Sequence, residues 1–423
     1  MTAADAIARV ERLLPGASLG SFRLPDDVAF VAAFGAGAEL HATDGRRFVD
    51  YVLGSGPMVL GHAHPRVVEA IVEQAARGTT YYVLNEPAIG LAERVCELVP
   101  CAESVKYCGS GGEATLYALR IARAATGRTR VLKFEGAYHG ANDYALHGMV
   151  AGRGTDGPVR GADSAGVPAA LADTMLVVPY NDLDAARDCL LASGDVAAVL
   201  VEPVQRSVEP VPGFLAGLRA LCDEVGAILI FDEIVTGFRV AMGGAQERYG
   251  VIPDLCTLGK ALGGGLPLAA VAGRHELIAV ASPTASEPAA YVSGTLNGNP
   301  LAAAAGLATL DVLAETDGCA SLAAAGEQLR AGLLDAAERL SIPLQVIGPP
   351  AFAQPVFGDE RVVDARALLR TDRAAARAFG VELVRRGVLV PPGGKLYVST
   401  AHTSALVGET IERASEALAA TRR

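Results

Sequence analysis

Residues 213–233 read "GFLAGLRALCDEVGAILIFDE", and the spacing of their apolar residues changes partway along. Over 213–226, Phe214, Leu218, Leu221, Cys222 and Val225 recur at intervals of three and four, so one stripe of a helix faces a core. The following "AILIFDE" (227–233) is an unbroken apolar run closed by Asp232 and Glu233, which suits a strand buried on both faces. A helix passing into such a strand is the unit from which α/β sheets are built.

The alternation extends in both directions. "SVKYC" (104–108), "RVLKFE" (130–135), "TMLVVPY" (174–180), "VAAVLVEP" (196–203) and "PLAAVAG" (267–273) are further strand-like runs, with helical segments between them. Any one of them could be a buried helix fragment; their repetition predicts a mostly parallel, doubly wound sheet covered by helices. The pattern weakens toward both ends, which predicts a large domain over 56–314 and a smaller one assembled from 1–55 and 315–423. "NPLAAAAGLATLDVLAETDG" (299–318) reads as a helix leading out of the large domain, and "AAARAFGVELVRRGVLV" (374–390) as a helix followed by a strand. Residues 151–173, rich in Gly, Pro and Asp, read as a mobile surface loop.

The 423 residues carry a formal net charge of −11 without a run of lysines or arginines, which argues against nucleic-acid or anionic-membrane partners. Small molecules or a second copy of the chain are the expected partners. The seven cysteines are scattered and read as reduced core thiols. The N-terminus lacks the apolar centre of a signal peptide, and no stretch approaches the roughly 18 apolar residues of a membrane span, so a soluble cytoplasmic protein is expected.

In an open parallel sheet, ligands sit beyond the carboxyl ends of the strands. After "SVKYC" come Gly109, Ser110, Gly111 and Gly112, a turn that either cradles a phosphate at a helix N-terminus or is only structural. After "RVLKFEG" come Tyr138 and His139, able to stack on a planar ligand or to pack under a loop. Asp232 needs a cationic partner if buried, such as a protonated pyridine nitrogen; a solvated strand end or a helix cap is the plainer role. Lys260 is the single charge inside "LCTLGKALGGGLPLAAVAG" (255–273): either a desolvated amine with a lowered pKa, or a side chain whose stem crosses apolar surface to water. Together, a phosphate cradle, an aromatic stacker, a carboxylate and a nucleophilic lysine are the parts needed to hold pyridoxal phosphate.

The sequence resembles the class III pyridoxal-phosphate aminotransferases of fold type I, in the branch of glutamate-1-semialdehyde 2,1-aminomutase. The resemblance rests on "DYVLGSGPMVLGHAHP", "GSGGEA", "KFEGAYHG", "DSAGVP", "PYNDL", "FDEIVTGFRVAMGGAQERYGVIPDLCTLGKALGGGLP", "GTLNGNPLAAAAG" and "VSTAHT", in order over nearly the whole chain. It implies a seven-stranded, mostly parallel sheet with a smaller α+β domain. It further implies that Lys260 forms the Schiff base and Asp232 pairs with the ring nitrogen, with Tyr138 and Ile234 on the two faces of the ring. Ser110, Gly111 and Gly112 would take the phosphate, joined by Thr295 from a neighbouring subunit, so a homodimer with shared sites is implied. His139 and Glu202 are placed at the cofactor, and Arg23 and Ser55 at the substrate, Arg23 as receptor of a carboxylate.

Departures from the family pattern gather on the substrate side. Gly112 stands where Thr is usual, Ser207 where an asparagine meets the ring hydroxyl, Ser55 in place of a tryptophan, and Gly393 and Gly394 in place of Phe and Glu. These favour an aminotransferase for a modified or β-amino acid, or for an intermediate of secondary metabolism, passing through pyridoxamine phosphate. A 2,1-aminomutase, a racemase or epimerase and a non-catalytic binding protein are the alternatives. His62 and His64 of "GHAHP" lack a third ligand in sequence and read as turn residues, not a metal site.

Overall fold

A computed structural model describes residues 9–11, 13–20, 22–152, 161–287 and 289–421. It divides into two compact units: Met1–Pro65 with Ala320–Glu360 and Thr371–Arg423, and Arg66–Cys319 with Arg361–Arg370. The breaks thus fall at Pro65 and Cys319, and a ten-residue piece of the C-terminal portion belongs to the larger unit.

The larger unit is built on seven strands: β1 (Ser104–Cys108), β2 (Arg130–Phe134), β3 (Met175–Val178), β4 (Val196–Val201), β5 (Ile228–Asp232), β6 (Leu255–Leu258) and β7 (Ala269–Gly273). Their order is β1-β7-β6-β5-β4-β2-β3. All neighbours are parallel except the two pairs that include β7. The reversal follows from chain length: residues 259–268 are too few for the crossover of about a dozen residues that a parallel return requires, so the chain turns straight back. Every residue of β4 to β7 is buried, which explains why β4, β5 and β7 read as near-continuous apolar runs.

The helix Gly111–Thr126 lays Ala114, Ala118, Leu119, Ile121 and Ala122 against the sheet, in one cluster with Val131, Ala198, Leu200, Ile230, Leu255 and Val271. The helix Phe214–Val225 buries Phe214, Leu215, Leu218, Leu221 and Cys222, close to the stripe read from its spacing. Phe214 meets Phe134 and Tyr180 edge to face, with ring centroids 5.4 and 5.0 Å away.

In the smaller unit the strands Ala32–Ala36, Glu39–Ala42 and Arg47–Asp50 form an antiparallel meander, and Val388–Leu389 pairs parallel to its last strand. A second sheet joins Leu344–Ile347, Phe352–Phe357 and Leu396–Tyr397. The Nε2 of His62 lies 2.8 Å from Oδ2 of the buried Asp50. Among the described residues no helix is long and apolar enough to cross a membrane.

Candidate active site

Six strands run in one direction, so the residues following β1, β2, β4, β5 and β6 collect along one edge of the sheet. Asp232 closes β5 and is only 6% exposed. Its Oδ1 accepts from Oγ1 of Thr257, 3.0 Å away and directly opposite it on β6, and from the Ile234 N–H at 3.2 Å. Its Oδ2 lies 2.6 Å from Nδ1 of His139. The other ring nitrogen, Nε2, is buried and has no hydrogen-bond partner among the described residues.

Tyr138 and His139 follow β2. The Tyr138 N–H donates to Oε2 of Glu202, which follows β4, at 3.0 Å. This fixes the backbone while Tyr138 as a whole stays 46% exposed. Ile234 stands nearby on the turn after β5, and its side chain occupies the space a Cβ would need at both Gly111 and Gly259.

The turn after β1 is a helix N-terminus. Ser110 is the N-cap: its Oγ accepts from the Glu113 N–H at 3.3 Å, and Oε2 of Glu113 accepts from the Gly109 N–H at 2.8 Å. The first-turn N–H groups of Gly111 and Gly112 have no acceptor within the helix and add to its positive end. A Cβ on Gly112 would meet only ordinary contacts at 3.6 Å, so the loss of a side chain there is not forced by crowding.

Lys260 starts the 3₁₀ turn Lys260–Gly263 with a left-handed φ of 48°. Burial pushes its ammonium down to about 8, helped by the positive fields of Arg239 and Arg206 and opposed by Asp232 and Glu202. Near neutrality such an amine can surrender its proton and act as nucleophile or base.

The remaining expected residues fare differently. Glu233 is a helix cap, accepting from the N–H groups of Ala245 and Gln246 and from Thr236 Oγ1. Thr295 is exposed on the turn over 294–297. Arg23 and Ser55 belong to the smaller unit. The Arg23 guanidinium pairs with Asp26 at 2.7 Å and Glu11 at 3.3 Å, and Ser55 is exposed on the short turn Leu53–Ser55. Of the 151–173 loop, residues 153–160 lie outside the described residues; Asp163 accepts from the Met149 N–H at 2.5 Å.

Sequence reasoning missed three residues in and around these strands. Thr257 lies in β6, whose four-residue run "LCTL" is too short and too mixed to stand out by period. Arg206 sits in a turn after β4, and its guanidinium carbon is 5.5 Å from the centroid of the Tyr138 ring. Lys133, on β2, is fully buried and donates from Nζ to the Ala145 carbonyl at 2.8 Å.

Comparison with known proteins identifies the family. The family described as aminotransferase class-III matches residues 25–421. A glutamate-1-semialdehyde 2,1-aminomutase of Methanothermobacter thermautotrophicus is 43% identical over 426 residues, covering 99% of both chains. Among solved structures, an omega-transaminase from Sphaerobacter thermophilus matches with a TM-score of 0.95 and 34% identity, over 100% of this chain and 98% of the other. A transaminase with PLP bound matches at a TM-score of 0.91 and 27% identity, again over 100% and 98%. With the match spanning nearly all of the sequence, the chain belongs to the class III aminotransferase family.

Proposed function

We propose that the chain is a pyridoxal-phosphate enzyme that moves an amino group, and that it does so within one molecule, as a 2,1-aminomutase. The residues fit the cofactor. Ser110 and the N–H groups of Gly111 and Gly112 suit its phosphate, Asp232 its ring nitrogen, and Tyr138 and Ile234 its two faces; the buried Nε2 of His139, without a partner among the described residues, is a further polar atom beside them. When bound, the cofactor supplies an electron sink for the bonds at the amine-bearing carbon.

The protein's share is positioning and proton movement. Asp232, held by Thr257 and His139, keeps a proton on the ring nitrogen. Lys260, its ammonium pushed down to about 8, takes a proton from the reacting carbon and returns it to the neighbouring one. Glu202 fixes the Tyr138 backbone so that the ring covers one face. The single observation that carries the reading is the convergence of Lys260 and Asp232 from β6 and β5 on one buried edge.

Intramolecular transfer is favoured over transfer between two molecules by the full-length similarity to an aminomutase. This reverses the preference drawn from the substrate-side departures. A transaminase remains the second reading, on the strength of the omega-transaminase structure. Holoenzyme given glutamate 1-semialdehyde alone should form the isomer with its amine on the adjacent carbon; turnover that requires a second amine or carbonyl compound selects the transaminase, and turnover in neither assay sinks both. A homodimer belongs to the proposal: exposed Thr295 would reach a second subunit, and Tyr82, Val83, Leu84 and Tyr291 are large, exposed and apolar. Sedimentation at working concentration tests it.

A further inference from the structure

Arg206 stands out in the segment after β4. From Val196 to Val208 it is the one exposed residue. Gln205 and Val208 exchange both backbone hydrogen bonds, at 2.9 and 2.8 Å, so Arg206 and Ser207 are the central pair of a tight hairpin turn. At the first of those positions Arg206 takes a left-handed φ of 60°, where glycine is the favoured residue. Strain of this kind persists only where the surroundings impose it, and it gathers at functional sites.

The turn is firmly seated. The Gln205 Nε2 donates to the Glu135 carbonyl at 2.7 Å, and the Tyr180 hydroxyl to the Pro203 carbonyl at 2.9 Å. The following carboxylate, Glu209, is engaged by Arg248 and Tyr249 at 3.0 and 3.1 Å. A rigid turn therefore carries a guanidinium to the open face of the site, over the Tyr138 ring, near enough for its field to act on Lys260.

We propose that Arg206 is a specificity residue that receives a carboxylate of the substrate beside the reacting lysine, so that the enzyme selects amino compounds bearing an acidic group. The inference rests on the amino-transfer reading of the same site. A guanidinium offers a planar pair of donors that matches a carboxylate, which an ammonium of equal charge does not. Arg206 lies outside the buried edge, so its replacement leaves the donors to the phosphate and ring nitrogen in place.

Glutarate, an unreactive dicarboxylate, is the probe, titrated calorimetrically into the holoenzyme so that no turnover is needed. Its binding should weaken about 10- to 100-fold in Arg206→Gln, the range expected for a lost hydrogen-bonded charge pair. Arg206→Lys should recover part of that loss. In turnover, the preference for carboxylated over neutral amines should fall by a similar factor in Arg206→Gln, through KM more than kcat. Glutarate bound equally well by wild type and Arg206→Gln, or not bound by wild type, would overturn the assignment. If glutarate follows the expected series while no amine turns over, the carboxylate site stands and the amino-transfer reading fails.

Discussion

Two lysines of the larger unit, Lys133 and Lys260, have ammonium groups pushed down by burial to the same value, about 8. Yet they sit in opposite kinds of place. Lys133 lies within β2, is fully buried, and commits its Nζ to the Ala145 carbonyl. Lys260 lies past the end of β6, on a left-handed turn at the edge where five strands deliver their polar residues. A lowered pKa alone thus does not single out either lysine; position beyond a strand's carboxyl end separates the two.

The sharpest way to break this contrast is to remove Lys260. Lys260→Ala should lower amino-group transfer by at least about 10⁴-fold, since both nucleophile and proton carrier go together, and should abolish the visible absorbance of lysine-bound cofactor. Retained turnover would make Lys260 no more special than Lys133. Next in size is Asp232→Asn, which removes the charge proposed to face the ring nitrogen and alters the partner of His139 Nδ1. A fall of about 10²- to 10⁴-fold in kcat is expected, the scale of losing a preorganised charge in a buried site; cofactor affinity, followed by fluorescence, should weaken much less.

Lys133→Ala should act on stability instead. It leaves the Ala145 carbonyl without its donor and opens a cavity under β2. Destabilisation of about 2–4 kcal/mol is expected in urea unfolding, with kcat of the folded fraction reduced less than about tenfold. A loss of activity rivalling that of Lys260→Ala, without destabilisation, would erase the distinction.

The same contrast explains what the sequence made legible. Lys260, Asp232, Ser110 and Tyr138 could be read because each follows a strand signal, and the sheet rule says where such residues gather. Six strands announced themselves by strand-like stretches of five to eight residues; β6 did not, because only four residues separate Asp254 from Gly259 and one of them is Thr257. Thr257 acts through register, opposite Asp232, and register is a property of the paired strands. Arg206 depends on a left-handed turn that its own residue type disfavours, and Lys133 on a fully buried position within a strand, so propensity pointed away from both. The choice between aminomutase and transaminase was read from a handful of substitutions, Gly393 and Gly394 among them, against which similarity along the whole chain weighs more.

The smallest effect tests whether burial is the common cause of the two lowered pKa values. In the cofactor-free protein each lysine is neutral in the folded state above pH about 8 but protonated in the unfolded state up to about 10.4. Between those values the unfolded chain binds more protons, so stability rises with pH. Below about 8 both states are protonated, and the desolvation penalty is present in full. Each lysine can contribute at most about 1.4 kcal/mol per pH unit across that window. Urea unfolding at pH 7.5, 8.5 and 9.5 should show the wild-type slope reduced in Lys133→Met and, separately, in Lys260→Met. With the same folded value, the two lysines should carry equal shares. A markedly smaller share for Lys260 would mean that Asp232 and Glu202 offset its burial and the fields of Arg239 and Arg206, and no change of slope in either variant would remove burial as the cause.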